Sequence, residues 1–111
     1  MGYSRAVVKG DWCFVSGVTG YDYATMAMPA DVAAQARNCF ATIGRVLEEA
    51  GFAMGDIVRV QYTLTDAELL DAVVPAMGEA MGVVRPAATL VIAGLIRPEM
   101  LIEVEVTAFR G

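Results

Sequence analysis

Glu103 and Glu105 stand two residues apart in the apolar run that closes the chain. In an extended strand, period-two geometry places both carboxylates on one face and Ile102, Val104, Val106 and Ala108 on the other. Two acids on one face of such a strand are either a solvated face or a site. A carboxylate held against partly apolar surroundings has a raised pKa and suits acid/base work near neutrality. Glu103 is therefore the candidate catalytic residue, against the alternative of a structural glutamate hydrogen-bonded across a subunit contact. Glu105 reads as structural.

Little else in the chain could do chemistry. It has no histidine, which removes Ser-His-Asp and Cys-His machinery and the commonest zinc ligand. No metal and no cofactor are expected. Cys13 and Cys39 form no CxxC pair; the first falls in an apolar strand and the second in a helix, so both are expected to be buried free thiols. Tyr3 and Ser16 could donate hydrogen bonds to a ligand or could satisfy backbone at a strand end. Tyr21 and Tyr23 lie in a loop, where specificity residues concentrate, and could instead pack on a neighbouring subunit. Trp12 and Phe14 share a strand face and are expected in the core.

The elements that must position these residues follow from pattern. Ala6–Val8 and Trp12–Ser16 flank a Lys9-Gly10-Asp11 turn and read as a hairpin. Residues 17–28 read as a loop. Asp31 is placed to cap a helix whose apolar stripe runs Val32, Ala36, Phe40, Ile43 and Leu47, and Gly51 ends it. Val58–Thr65 alternates, with Val58, Val60, Tyr62 and Leu64 on one face and Arg59, Gln61, Thr63 and Thr65 on the other. Asp66 can cap a short turn over Ala67–Leu70. A helix over Ala72–Met81 should follow, kinked at Pro75 or beginning near it, because proline removes a donor and clashes one turn back; Met77 and Met81 read as its core face. "RPAATLVIAGLIRPEMLIEVEVTAFRG" then reads as two strands joined by a Gly/Pro-bearing turn. The sum is a single α/β (α+β) two-layer domain over residues 1–111, ββαβαββ, with two helices on one face of a sheet.

Composition sets the outer bounds. The chain is 57% hydrophobic, high for a small domain that leaves much surface uncovered, which suggests burial against other subunits. The sheet face bearing Arg59, Gln61, Thr63, Glu103 and Glu105 is too mixed for open solvent or a dry core and suits a wet oligomer interior. No apolar run is long enough for a membrane span and no secretory signal is read, so cytoplasmic localisation is expected. The net charge is −5 and the eight basic residues are scattered singly, so nucleic-acid binding, which needs clustered cations, is not expected.

Four segments, in order and spacing, resemble the RidA/YjgF family of imine and enamine deaminases over nearly the whole chain: "GYSRAVVKGDWCFVSG", "ADVAAQARNCFATIGRVLEEAG", "DIVRVQYTLTD" and "RPAATLV…IEVEVTA". The resemblance implies a chorismate-mutase-like fold assembled as a homotrimeric barrel, with small-molecule sites at the subunit interfaces. It implies that Tyr3, Ser16 and Gly17 line the site, that the backbone of Thr89 and Leu90 contributes, and that Glu103 positions the attacking water. The family arginine that binds the substrate carboxylate falls at Ala88, and an asparagine of the second helix falls at Val74. Methyl cannot imitate a bidentate guanidinium, and losing a charged partner for an anion costs on the order of 2–5 kcal/mol. Arg85 stands three residues earlier, but Pro86 fixes the chain between them. The resemblance thus points to a divergent small-molecule hydrolase or deaminase, with activity on typical 2-imino acids in doubt. A non-catalytic ligand-binding trimer is the alternative reading; the acidic balance argues against an endoribonuclease.

Overall fold

Gly10, whose φ of 55° suits glycine, turns the chain between β1 (Ala6–Lys9) and β2 (Trp12–Thr19). The computed structural model describes residues 1–111. After the hairpin come α1 (Val32–Glu49), β3 (Ile57–Leu64), α2 (Leu70–Met81), β4 (Ala87–Ile92) and β5 (Ile102–Phe109), the expected ββαβαββ order. The five strands form one sheet in the order β1-β2-β5-β3-β4. All pairs are antiparallel except β3–β4, which is parallel. Although one loop joins β4 to β5, the two do not pair. β5 inserts between β2 and β3, which leaves β4 as an edge.

Local sequence accounts for the helices. The Asp31 carboxylate accepts from the backbone N–H groups of Ala33 and Ala34, satisfying two donors that a helix start would leave unpaired. At the other end Gly51 (φ 84°) takes the left-handed position. Its N–H donates to the Glu48 carbonyl and that of Phe52 to the Leu47 carbonyl, the paired bonds of a Schellman stop. A 3-10 turn over Ala67–Leu69, capped by Asp66, runs directly into α2. That helix therefore starts earlier than expected and contains Pro75. Pro75 and Asp71, four residues before it, are both exposed, so the missing donor falls on the solvent-facing side of the helix, where proline is best tolerated.

Both helices lie on one face of the sheet. Ala36, Cys39, Ile43 and Leu47 of α1 and Val73 and Ala76 of α2 bury against Val15, Val18, Val60, Leu64, Ile102, Val104 and Val106. Fully burying one of the valine, isoleucine or leucine side chains among them contributes about 1.5–3 kcal/mol. No helix is long and apolar enough to cross a membrane.

Three details differ from the sequence pattern. The β3–β5 register shifts between Ile57 and Arg59, so Ile57 is buried and Val58 is exposed. Trp12 and Phe14 are not core: they lie on the sheet face away from the helices, 43% and 47% exposed, with the Trp12 ring 4.5 Å from that of Phe109. Period two gave their common face correctly but not which face the helices cover. Finally β2 runs through Gly17 to Thr19, so the loop starts three residues later than the pattern suggested.

Cys13 and Cys39 are free and fully buried. Burial pushes the Cys39 thiol up to about 12, and its Sγ–H donates to the Val18 carbonyl at 3.2 Å. Reactivity follows the thiolate. The expected result with an aqueous disulfide reagent is no thiol release from the folded protein, and release of both thiols on denaturation.

Candidate functional site

β2 pairs Val15 with Val106 and Val18 with Val104, so Ser16 and Gly17 together oppose the single residue Glu105. Two residues against one is a β-bulge, which bends the strand and re-aims side chains. It lets both Val15 and Val18 face the helices and brings Gly17 under the side chain of Glu103. A Cβ on Gly17 would lie 2.5 Å from Glu103 Cδ and 2.7 Å from its Oε1, so only glycine leaves the carboxylate its present seat.

Arg5 holds the bulge from the other side. Its Nη1 donates to the Gly17 carbonyl at 2.8 Å, to Ser16 Oγ at 3.2 Å and to the Ser16 carbonyl at 3.3 Å. The Ser16 hydroxyl donates to the Arg5 carbonyl at 3.1 Å. The guanidinium lies 5.6 Å from the Tyr23 ring centroid, and the Tyr23 hydroxyl shares a hydrogen bond with Thr19 Oγ1 at 3.3 Å.

These residues line one cavity of about 370 Å³ with Tyr3, Tyr21, Met26, Ile96, Met100 and Glu103. Two loops wall it, and Gln35 of α1 ties both down. Fully buried, its Nε2 donates to the carbonyls of Pro29 and Glu99, and its Oε1 accepts from the Leu101 N–H at 2.9 Å. The Tyr21 hydroxyl links the loops directly by donating to Glu99 Oε1 at 3.0 Å. Burial raises the Glu103 carboxyl above the usual carboxylate range and neighbouring Glu105 adds to this, while Arg5 opposes it. The cavity thus holds one carboxylate biased toward taking a proton, beside one cationic side chain. It has no cluster of three groups able to hold a metal ion.

Six of the nine site residues named from sequence, Tyr3, Ser16, Gly17, Tyr21, Tyr23 and Glu103, line this one cavity. The other three do not reach it within one chain. Ala88 pairs with Val60 and Leu90 with Tyr62, which puts Ala88 and Leu90 on the helix-side face at the sheet edge, beyond β3. Ala88 instead lines an open groove of about 530 Å³ with Val74, Met77 and Arg85. Thr89 is on the opposite face, where its Oγ1 accepts from Arg59 Nη1 at 3.4 Å.

Residue pattern does not single out Arg5, Gln35 or the Ile96–Met100 loop. A signal for Arg5 existed: a hairpin turning at Gly10 and Asp11 sets Ala6 against Val15 and hence Arg5 against Ser16. The signal for Gln35 is weaker: it stands one turn before Cys39 and beside the apolar stripe of α1.

The chain matches the family model described as Endoribonuclease L-PSP over residues 1–110. It is 33% identical over 111 residues to an uncharacterised protein of Streptomyces coelicolor, covering 99% of this chain and 83% of the other. It is 31% identical over 111 residues to the 2-iminobutanoate/2-iminopropanoate deaminase of Escherichia coli K12, covering 97% and 87%. Among solved structures, the Mycobacterium tuberculosis protein Rv2704, described as a member of the YjgF/YER057c/UK114 family, superposes with a TM-score of 0.88 at 34% identity, covering 98% and 87%.

Glu103 also sets a pH dependence of stability. Its folded pKa is raised, so the native state binds the proton more tightly than the unfolded chain does. Stability is then lost as pH rises from the ordinary carboxylate pKa to the raised one, and the deficit persists above it. Glu103→Gln removes the effect. In thermal melts the variant should gain stability relative to wild type as pH rises through that window, with no such gain below it.

Proposed function

This chain belongs to the Endoribonuclease L-PSP family, the RidA/YjgF group, and from that premise we propose that it hydrolyses a small imine or enamine. The observation that carries the reading is the Glu103 carboxylate, seated on Gly17 in a partly apolar cavity with its pKa raised. Such a group can take a proton from water and return it to a leaving nitrogen. In the proposed reaction the oxygen of water bonds to the C=N carbon while Glu103 accepts the proton. Glu103 passes this proton to the imine nitrogen, giving a carbinolamine. It then takes the hydroxyl proton as the C=O bond forms and hands it to the nitrogen, so that the C–N bond breaks and ammonia leaves. The products are a carbonyl compound and ammonia. Tyr3, Ser16, Tyr21 and Tyr23 shape the pocket. The deaminase name of the Escherichia coli relative supports this chemistry.

The working form is a homotrimer in this reading. The sheet ends in two edge strands, β1 and β4, and its helix-free face carries Trp12, Phe14 and Phe109, all exposed. Unpaired edges and exposed apolar clusters call for cover. A second copy bringing its β4 edge to the Glu103 cavity would add Ala88, Thr89 and Leu90 to the site, as the family resemblance implies. Ala88 would add no charge there. An endoribonuclease is disfavoured by the net charge of −5, since RNA affinity rests on clustered cations.

The test is ammonia release from freshly generated imines and enamines, with light scattering to fix the assembly. A trimer should turn them over. The rate constant kcat/KM should rise with pH through a pKa above the ordinary carboxylate range, because Glu103 must be ionised to accept the proton. Glu103→Gln should abolish that limb and lower the rate about 10²–10⁴-fold. Ligand-dependent stabilisation with no Glu103-dependent turnover would establish the non-catalytic binder instead.

A further inference from the structure

Arg5 is the one cationic side chain lining the Glu103 cavity, and its hydrogen bonds are divided unevenly. Nη1 alone carries the three bonds to Ser16 and Gly17. Nε and Nη2 donate to nothing within the chain, and no carboxylate lies within ion-pair distance, the only salt bridge being Arg37–Glu79. A guanidinium has five N–H donors in a fixed fork, and two parallel N–H···O bonds from one edge match a carboxylate. The bulge holds this guanidinium through its Nη1 corner and leaves the Nε/Nη2 edge unused. The Tyr23 ring, 5.6 Å away, gives it a wall, so the fork is already oriented before any anion arrives.

We propose that the Nε/Nη2 edge of Arg5 is the anion anchor of this cavity, and that it grips a substrate carboxylate from within the same chain that supplies Glu103. The inference rests on the reading of the cavity as an imine-hydrolysing site and names the residue that positions its substrate. The substrate's carboxylate is then held on the bulge side, and its C=N carbon is presented to the Glu103 carboxylate. Ala88 has no charge to contribute, and Arg85, which lines the groove beside α2 together with Ala88, is held three residues away from it with Pro86 between. In this chain the charge that recognises the substrate has a different origin from the position the family resemblance points to.

Binding tests this without turnover. Pyruvate, the 2-oxo acid left when a 2-imino acid is hydrolysed, is titrated against its neutral isostere pyruvamide by calorimetry. Amide shifts of Gly17 and Thr19 report the place of binding. The full chain is used in its native assembly. Wild type should bind pyruvate about tenfold or more tighter than pyruvamide, the preference expected of a charge-assisted pair. Arg5→Gln should abolish the preference. Arg5→Lys, whose ammonium can still reach the Ser16 and Gly17 carbonyls but lacks the fork, should lose most of it. Circular dichroism verifies that each variant is folded. Arg85→Gln should retain the full preference. No saturable binding of either probe, equal binding of the two by wild type, a preference that survives in Arg5→Gln, or one lost in Arg85→Gln would each overturn the proposal. Glu103-dependent turnover of imines without a carboxylate preference would sink this inference and leave the hydrolase standing. An Arg5-dependent preference without turnover would support the anchor and sink only the hydrolase.

Discussion

The bulge at Ser16 and Gly17 is the constraint on which the site depends. A regular strand would carry the alternation of Cys13 and Val15 onward to Gly17 and Thr19, and would turn Val18 away from the core. The extra residue instead lets Val15 and Val18 both bury and places a glycine backbone against the Glu103 carboxylate. A bulge frees backbone groups from the ladder, and these need other partners. Here Arg5 supplies them, taking the Ser16 and Gly17 carbonyls on one nitrogen. Core packing, the seat of the acid and the orientation of the cation are consequences of one irregularity in one strand.

Around that seat the cavity walls are loops, and loops wander unless something fixes them. Gln35 does so from the middle of α1, with both ends of its amide used. Gly20 packs its backbone directly on the Gln35 side chain, and Asn38 Nδ2 donates to the Gly20 carbonyl at 3.0 Å. One helix face therefore does two jobs: its apolar stripe fills the core, and its amides set the position of the cavity's rim. A buried amide with every partner satisfied specifies a unique geometry, because any shift would leave several polar groups unpaired at once.

Much of this architecture was legible from residue pattern. Alternation located β3 and β5, the step-of-four stripe located α1, and Asp31 and Gly51 marked its ends. What pattern could not supply was the sense of an interruption. Trp12 and Phe14 read as core residues because alternation gives a shared face and not its identity. Val58 reads as inward on strict alternation, and the shift between Ile57 and Arg59 breaks that period. The family resemblance contributed Tyr3, Ser16, Gly17 and Glu103 as a set, and the fold brings those four into one cavity. It says nothing of Arg5, whose place depends on the hairpin register, or of Gln35, whose partners are distant loops. Ala88 and Glu103 lie only fifteen positions apart in the chain, yet β3 intervenes between their strands. Sequence proximity could not reveal that they belong to different faces.

The account stands on Glu103 doing chemistry from the place that Gly17 gives it. Gly17→Ala tests this most directly, since it alters no functional group and Gly17 has no left-handed φ to preserve. The added methyl must push the carboxylate aside. With fold and assembly retained, imine hydrolysis by this variant should fall about 10²-fold, the scale of an ångström's misplacement of a reacting group. Hydrolysis at the wild-type rate by a folded Gly17→Ala protein would contradict the account.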